Sequence, residues 1–193
     1  LSQAEYPTGT WHRITIPVAD IINGLSLGTS ILELGKLSEV LRFSFNSESR
    51  IRIDNLQFGC GGLACGFVDE VPVFIDQVDP LWNRGIRGND AQQKSTLVNN
   101  PDYPENNLHH VQWEIIDTGE EGHDEVIQTT IGSGLSAENP NYPDQAVNFI
   151  GSENAISAIA ALTDGEFRFD IRMISNPNNV DLYFKVDGAF TST

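Results

Sequence analysis

The residues best suited to acid–base chemistry stand in a glycine-flanked turn that contains Glu120, Glu121 and His123. A glycosidase needs two carboxyl groups that face each other in a cleft, whereas a turn between two strands holds its side chains in solvent. The nucleophile-elbow, zinc-protease and dinucleotide-binding motifs do not occur in the sequence. With 27 Asp and Glu residues, carboxylate pairs arise by number alone. We therefore predict that the chain is not an enzyme, and a small glycan-active enzyme is the weakest alternative.

Residues suited to sugar binding are more distinctive. Pyranose rings stack on flat aromatic side chains, while their hydroxyl groups bond to planar polar groups. Trp82 precedes Asn83 and Arg84 in a loop bounded by Pro and Gly, so a platform and two polar groups stand together. We predict Trp82 as the main platform, the alternative being a tryptophan that plugs one end of the core. Trp11, at the start of a strand pattern, is predicted to be structural.

Five further residues are candidate sugar contacts. Tyr103 and Tyr142 each lie in an Asn-Pro-Asx-Tyr-Pro pattern, whose prolines restrict the tyrosine; the alternative is a loop pinned to the surface. Trp113 alternates in phase with apolar neighbours, which favours the core over a ligand-facing position. Tyr183 and Arg172 occupy polar positions of two successive strand patterns, and the pair is predicted to line a groove.

The net charge of −16 excludes several classes of partner. Nucleic acids, sulfated glycans and anionic membranes are bound through Lys and Arg, and this chain has only 11 of these residues. The longest apolar runs, such as residues 156–162, are too short to cross a bilayer. We expect neither nucleic acid binding nor membrane insertion, whereas a neutral ligand or a divalent cation is compatible with the charge.

The two cysteines, Cys60 and Cys65, are separated by a segment that contains Gly61 and Gly62. Glycines let the chain fold back, so we predict a local disulfide, the alternative being two unpaired thiols in a linker. A disulfide implies an oxidising compartment, and hence a secreted or cell-surface protein. The chain begins at Leu1 with no visible signal peptide, from which we expect a removed targeting segment or an excised fragment.

Alternating apolar residues and abundant turn residues predict an all-β protein, an antiparallel β-sandwich of jelly-roll type. One single domain is expected for residues 1–193, built from a half at 1–58 and a half at 71–193 joined by a Cys- and Gly-rich linker at 59–70. Helical turns are predicted only at 18–22 and 155–162. The predicted strands are residues 10–16, 40–45, 50–58, 71–75, 110–116, 126–131, 146–149, 166–174 and 181–186.

Several segments resemble galactose-binding-like β-jelly-roll carbohydrate-binding domains of secreted, marine-type bacterial glycoside hydrolases. The resemblance rests on Trp82 and on residues 165–172 (GEFRFDIR), 183–187 (YFKVD), 9–17 (GTWHRITIP), 51–56 (IRIDNL) and 73–76 (VFID). In that family the strand like 9–17 follows the one like 183–187. The chain therefore has a circularly permuted order, or one that straddles a repeat boundary.

The resemblance implies a non-catalytic module that binds a neutral polysaccharide, with β-glucan favoured, and holds an attached or partner glycoside hydrolase near its substrate. It also implies a structural Ca²⁺ bound by Asp54 and Asp76; the alternative is two edge-strand acids that face water.

A second interpretation follows from the order of the halves, since neither half has enough strands to close two sheets alone. The halves must pair within one chain or between neighbouring chains. Pairing between chains would make a homo-oligomer or filament, and the protein would be a structural repeat or subunit of an extracellular fibre or adhesin.

Overall fold

In the computed structural model, the part of the chain that is described folds into antiparallel strands with two short helices. The structure describes residues 5–23, 30–45, 49–60, 70–82, 86–89, 94–95, 111–131, 145–149, 153–162, 164–177 and 183–192. The strands are β1 (Trp11–Pro17), β2 (Ser30–Phe45), β3 (Ser49–Gly59), β4 (Glu70–Ile75), β5 (Gln77–Val78), β6 (Ile86–Asn89), β7 (Lys94–Ser95), β8 (Val111–Glu120), β9 (His123–Ile131), β10 (Gln145–Phe149), β11 (Glu166–Ser175) and β12 (Tyr183–Ser192). The helices are α1 (Val18–Asn23) and α2 (Glu153–Ala160), and a 3-10 helix spans Pro80–Trp82.

The strands form two sheets. One sheet has seven strands, in the order β1-β11-β3-β4-β5, with β9 also paired to β3 and β8 paired to β9. The other has five strands in the order β12-β2-β10-β6-β7. All described pairs are antiparallel, which confirms the predicted all-β, antiparallel class. The packing of the sheets as a jelly-roll sandwich stays a prediction.

Strands from the two ends of the chain pair with each other. β1 pairs with β11, β3 lies between β11 and β9, and β2 lies between β12 and β10. Segments on either side of the proposed 59–70 linker therefore share both sheets within one chain.

Among the side chains that the structure describes, the core lies against one face of the seven-stranded sheet. Alternate residues of β3 and β11 point into it, because successive side chains of a strand face opposite sides. Its largest fully buried side chains are Trp82, Phe58, Phe74, Phe167, Phe169, Ile51, Ile53 and Leu56. Helix α2 adds Ala155 and Ile159, one turn apart on a single helical face, and both are fully buried.

Gly165 is the tightest junction of the described chain. It precedes β11 and accepts a hydrogen bond from the backbone N–H of Val18 at 2.8 Å. A Cβ atom at Gly165 would collide with the backbone oxygen of Gly59 at the end of β3, and would lie 3.0 Å from the oxygen of Leu162. Only a residue without a side chain fits where the ends of β3 and α2 meet the start of α1.

Every predicted strand overlaps an observed one, and both predicted helical turns are present. The largest difference in length is at β2, which begins ten residues before the predicted start at residue 40. The short strands β5, β6 and β7 were not predicted, since two to four residues carry no measurable alternation. No helix in the described part of the chain is long and apolar enough to span a membrane.

A β-bulge interrupts the regular alternation of β3. Asp170 of β11 faces Asp54, and Arg168 faces Gln57, so Asn55 and Leu56 together oppose the single residue Phe169. Asn55 has a φ of 50°, in the left-handed region that a short polar side chain tolerates. Asp54, the residue before the bulged pair, is buried with 1% exposure.

Candidate functional site

A cluster of charged and aromatic side chains gathers where the β8–β9 hairpin tip meets the β3 bulge. It combines residues from β1, β3, β9 and β11 with the end of β8, all on the polar face of the seven-stranded sheet. We call it the hairpin cluster, and its members are Trp11, Arg13, Arg52, Asp54, Asn55, Glu120, His123, Asp170 and Arg172.

Asp54 is the most deeply buried charge of the cluster, with 1% exposure. Its Oδ1 accepts a hydrogen bond from the backbone N–H of Asn55 at 2.6 Å, and its Oδ2 lies 2.8 Å from Nδ1 of His123. Burial raises the pKa of Asp54 and the nearby charge of Asp76 adds to this, while the hydrogen bonds of His123 and Asn55 oppose it. Asp54 thus anchors the hairpin through His123 at an electrostatic cost.

Asp170 faces Asp54 directly but has a different set of partners. Nε and an Nη of Arg13 each donate to one of its oxygens at 2.8 Å, a bidentate pair, and Nδ2 of Asn55 donates at 2.9 Å. Burial alone would raise the pKa of Asp170, but the hydrogen bonds from Arg13 and Asn55 and the charge of Arg13 outweigh it, so this pKa is lowered. Two facing carboxylates therefore have pKa values that shift in opposite directions.

The amide of Asn55 joins the two carboxylates to the hairpin. Besides its bond to Asp170, Nδ2 lies 3.4 Å from Oδ2 of Asp54 and 3.3 Å from the backbone oxygen of Gly122 in the hairpin turn. The left-handed backbone of Asn55 places this amide between β3, β11 and the hairpin. The bulge thus provides the geometry that holds the hairpin tip on the sheet.

The hairpin tip brings Glu120 over the sheet. Gly119 and Gly122 both have positive φ values (63° and 79°), which the tight connection between β8 and β9 requires. Glu120 accepts hydrogen bonds from Nε1 of Trp11 at 3.0 Å and from Arg172 at 2.7 and 2.9 Å, and Arg52 lies 3.8 Å away. The bond from Trp11 lowers the pKa of Glu120; burial acts against it, and Arg172 and Arg52 lower it further.

Trp11 and His123 form a parallel ring stack. Their ring centroids are 4.0 Å apart and the planes meet at 14°. The indole is thus held on one face by His123 and at its edge by Glu120. No second ring lies against it among the described residues. This arrangement fixes a partly exposed tryptophan at the β1 edge of the sheet. Because the indole is already fixed, it loses little side-chain entropy when another ring stacks on it.

The structure corrects the prediction for Trp82. Its side chain is 1% exposed, it belongs to the core, and its indole N–H donates to the backbone oxygen of Pro72 at 2.8 Å. A ring with no exposed face offers no platform to a sugar, so Trp82 has the core position that was the alternative interpretation. The 3-10 helix Pro80–Trp82 turns the ring inward. Asn83 and Arg84 lie outside the described residues.

The other predicted contacts are placed as follows. Arg172 belongs to the hairpin cluster. Its predicted partner Tyr183 starts β12 in the five-stranded sheet, so the two do not lie on neighbouring strands, and the shared groove stays a prediction. Trp113 lies on β8, and its side chain is outside the described part, as is that of Tyr183. Tyr103 and Tyr142 lie outside the described residues.

The described contacts do not add support to the predicted calcium site. Asp54 is bonded to Asn55 and His123, whereas Asp76 is an exposed turn residue with a φ of 56°. Calcium takes six to eight oxygen ligands, and within the described residues no group of three or more His, Cys, Asp or Glu side chains could hold a metal ion. A calcium ion bound by Asp54 and Asp76 stays a prediction.

Cys60 is buried at the end of β3 and is disulfide-bonded. Cys65, the only other cysteine of the chain, lies outside the described residues. The Cys60–Cys65 pairing therefore stays a prediction.

Sequence reasoning did not bring the members of the hairpin cluster together. The turn with Glu120 and His123 was interpreted as solvated, although both of these side chains bond back to the sheet. The structural role predicted for Trp11 stays a prediction. One signal was available in β3, where apolar residues at 51 and 53 are followed by apolar residues at 56 and 58. This shift of phase marks the bulge and points to Asp54 and Asn55.

Comparison with known proteins gives no relative from which to transfer a function. No protein-family model matches the chain, and no curated protein or solved structure is significantly similar to it.

Proposed function

We propose that this protein is a non-catalytic module that binds a neutral polysaccharide on the polar face of its seven-stranded sheet, with Trp11 as the stacking platform. The observation that carries the proposal is the fixed position of the Trp11 indole, stacked on His123 and bonded to Glu120 beside three arginines. A rigid, partly exposed tryptophan bordered by planar polar side chains is the combination that a sugar ring and its hydroxyl groups need.

The charges around Trp11 favour a neutral ligand. Arg13 is paired with Asp170, and Arg172 and Arg52 share Glu120. Each guanidinium group therefore already has a carboxylate partner, while some of its N–H groups remain to donate to hydroxyl oxygens. An anionic polymer would also meet the net charge of −16 of the chain.

The His123–Asp54 pair is assigned a structural role. In hydrolase triads such a pair orients an imidazole whose second nitrogen faces a nucleophile. Among the described side chains, no Ser, Thr or Cys is bonded to Nε2 of His123, and the Thr118 hydroxyl bonds to its backbone oxygen instead. The pair connects the hairpin to the sheet and so supports the position of Trp11.

The biological setting follows from the resemblance of the sequence. A secreted module of this kind would hold an attached or partner glycoside hydrolase close to its polymer, which raises effective concentration without any chemistry of its own. β-Glucan is the favoured polymer on the same ground.

The proposal is tested by affinity electrophoresis in gels that contain laminarin, mixed-linkage glucan or agarose. We expect retardation by one neutral glycan, loss of retardation in Trp11→Ala, and partial retention in Trp11→Phe, which keeps a ring but loses the bond to Glu120. Gln77→Ala, an exposed substitution in β5, is the control. Circular dichroism verifies that each variant is folded.

Light scattering on the same samples tests the alternative function, a subunit of an extracellular fibre or adhesin. A mass close to 21.2 kDa together with retardation supports the binding module. Concentration-dependent multimers without retardation by any of the three glycans would overturn it in favour of a fibre subunit.

A further inference from the structure

Five polar side chains lie at one level across five neighbouring strands of the seven-stranded sheet. Trp11 of β1 is opposite Arg172 of β11, which is opposite Arg52 of β3. Arg52 is in turn opposite Gln128 of β9, which is opposite Glu114 of β8. We call this set the cross-strand row. It runs perpendicular to the strands and starts at the tryptophan of the proposed site.

The members of the row point away from the core. Arg172 lies between buried Ile171 and Met173, and Arg52 lies between buried Ile51 and Ile53. In β9 the neighbours of Gln128 are buried in the same way. Since side chains alternate between the two faces of a strand, the row occupies the polar face.

Hydrogen bonds hold the row in place. Nε of Arg52 donates to Oε1 of Gln128 at 3.2 Å, and Nε2 of Gln128 donates to Oε1 of Glu114 at 2.9 Å. At the other end Glu120 bonds to both Trp11 and Arg172. A row that is already ordered loses little side-chain entropy when a ligand binds.

Charge and length together define the occupant. The two guanidinium groups of the row are balanced by Glu120 and Glu114, which leaves no excess charge for an ionic ligand. Strands lie about 4.8 Å apart, so five strands give a row of about 19 Å, which is room for about four sugar rings that each advance by about one strand spacing.

We infer that the cross-strand row is an extended subsite on which a linear neutral polysaccharide lies across the strands. One ring stacks on Trp11, and the hydroxyl groups of the following rings bond to Arg172, Arg52, Gln128 and Glu114. The inference rests on the proposed function and adds to it the direction and length of the bound segment. The ligand is thereby an internal stretch of a polymer or a chain of about four rings, rather than a single sugar.

The test is calorimetry with β-1,3-glucan oligosaccharides from the disaccharide to the hexasaccharide. We expect affinity to rise with each added ring up to the tetrasaccharide and then to level off. Gln128→Ala should weaken binding of the tetrasaccharide about five- to tenfold, as loss of one or two hydrogen bonds predicts, and leave the disaccharide unchanged. Thr15→Ala, an exposed β1 position on the same face but outside the row, is the control.

The outcomes separate the row from the proposed function. If the oligosaccharides bind with no dependence on length, or if Gln128→Ala binds the tetrasaccharide as well as the unmodified chain, the row is overturned and the Trp11 site stands. If neither the oligosaccharides nor laminarin, mixed-linkage glucan or agarose binds, the proposed function fails with it. Tighter binding of an oligouronate than of the neutral tetrasaccharide would overturn the charge argument and hence the row.

Discussion

The two faces of the seven-stranded sheet each contain a tryptophan, and the two rings are held in different ways. On the inner face Trp82 is surrounded by apolar side chains, and its one polar atom bonds to the backbone of Pro72. On the outer face Trp11 is stacked on His123 and bonded to Glu120, with part of its surface exposed. Both indole N–H groups have a partner, so hydrogen bonding does not distinguish the two sites.

The difference lies in what the surroundings are made of. Apolar neighbours exclude water from Trp82, so burial of this side chain raises the free energy of unfolding. Charged and planar neighbours leave part of the Trp11 ring exposed, so this ring surface can stack on a ligand. Substitutions on the inner face should therefore change the free energy of unfolding, and those on the outer face should change binding.

The largest expected effect is on the inner face. Trp82→Ala removes a fully buried indole, and such changes lower the free energy of unfolding by about 3–5 kcal/mol. Urea denaturation followed by circular dichroism measures this. Trp11→Ala is the matched outer-face variant, and we expect it to cost about 1 kcal/mol. Equal losses in the two variants would remove the distinction between the faces.

A smaller effect is expected at Asp170, a buried carboxylate on the outer face. Asp170→Ala removes the acceptor of two bonds from Arg13 and one from Asn55. Because Arg13 is 63% exposed and recovers water, the expected loss is about 2 kcal/mol, in the range for hydrogen bonds to charged groups. Asp170→Asn keeps one acceptor and should lose less in the same urea experiment. A larger loss in Asp170→Asn would contradict this account.

The facing carboxylates should respond to pH in opposite ways. The lowered pKa of Asp170 gives stability that is present above the unfolded value of about 3.9 and is lost as pH falls through its folded pKa. The raised pKa of Asp54 gives stability that is present below about 3.9 and is lost as pH rises through its folded pKa.

Urea denaturation at several acidic pH values compares the unmodified chain with Asp54→Asn and Asp170→Asn. With increasing pH, the advantage of the unmodified chain over Asp170→Asn should grow, and its advantage over Asp54→Asn should shrink. Glu125→Gln, which removes an exposed carboxylate of β9, controls for net charge. If the two advantages changed in the same direction with pH, the pKa values of Asp54 and Asp170 would not be shifted in opposite directions.

The smallest effect on stability is expected within the cross-strand row. Gln128 bonds to Arg52 and Glu114 at the surface, so Gln128→Ala should change the free energy of unfolding by no more than about 1 kcal/mol. Thermal denaturation measures the stability of this variant, and the calorimetric titration measures its affinity for the tetrasaccharide. If Gln128→Ala lowered the free energy of unfolding as much as Trp82→Ala does, the row would stabilise the sheet rather than serve as a binding surface.

The strands were predictable because alternation is a local property of the sequence. Residues 166–174 alternate clearly, and residues 50–58 alternate on either side of one phase shift. β3 and β11 match these two segments to within one residue at each end. The short 3-10 helix at Trp82 has no such signal, and polar neighbours made the ring look exposed. Its inward direction depends on contacts with β4, which the local sequence does not contain.

The hairpin cluster depends on pairings between distant parts of the chain. Trp11 reaches Glu120 and His123 only because β1 pairs with β11, β11 with β3, and β3 with β9. The phase shift after Ile53 could have located the bulge, but not the residue that Asp54 would face. Register between distant strands follows from the whole fold, so the composition of the cluster could not be read from any one segment.

The junction at Gly165 limits how far this sequence can vary. A side chain there would collide with the backbone of Gly59, and backbone atoms cannot be replaced by smaller ones in any relative. A library randomised at position 165 and selected for folding should therefore return glycine alone, whereas position 128 should accept many residues. A chain that diverged until little else matched would still have to retain this glycine before β11.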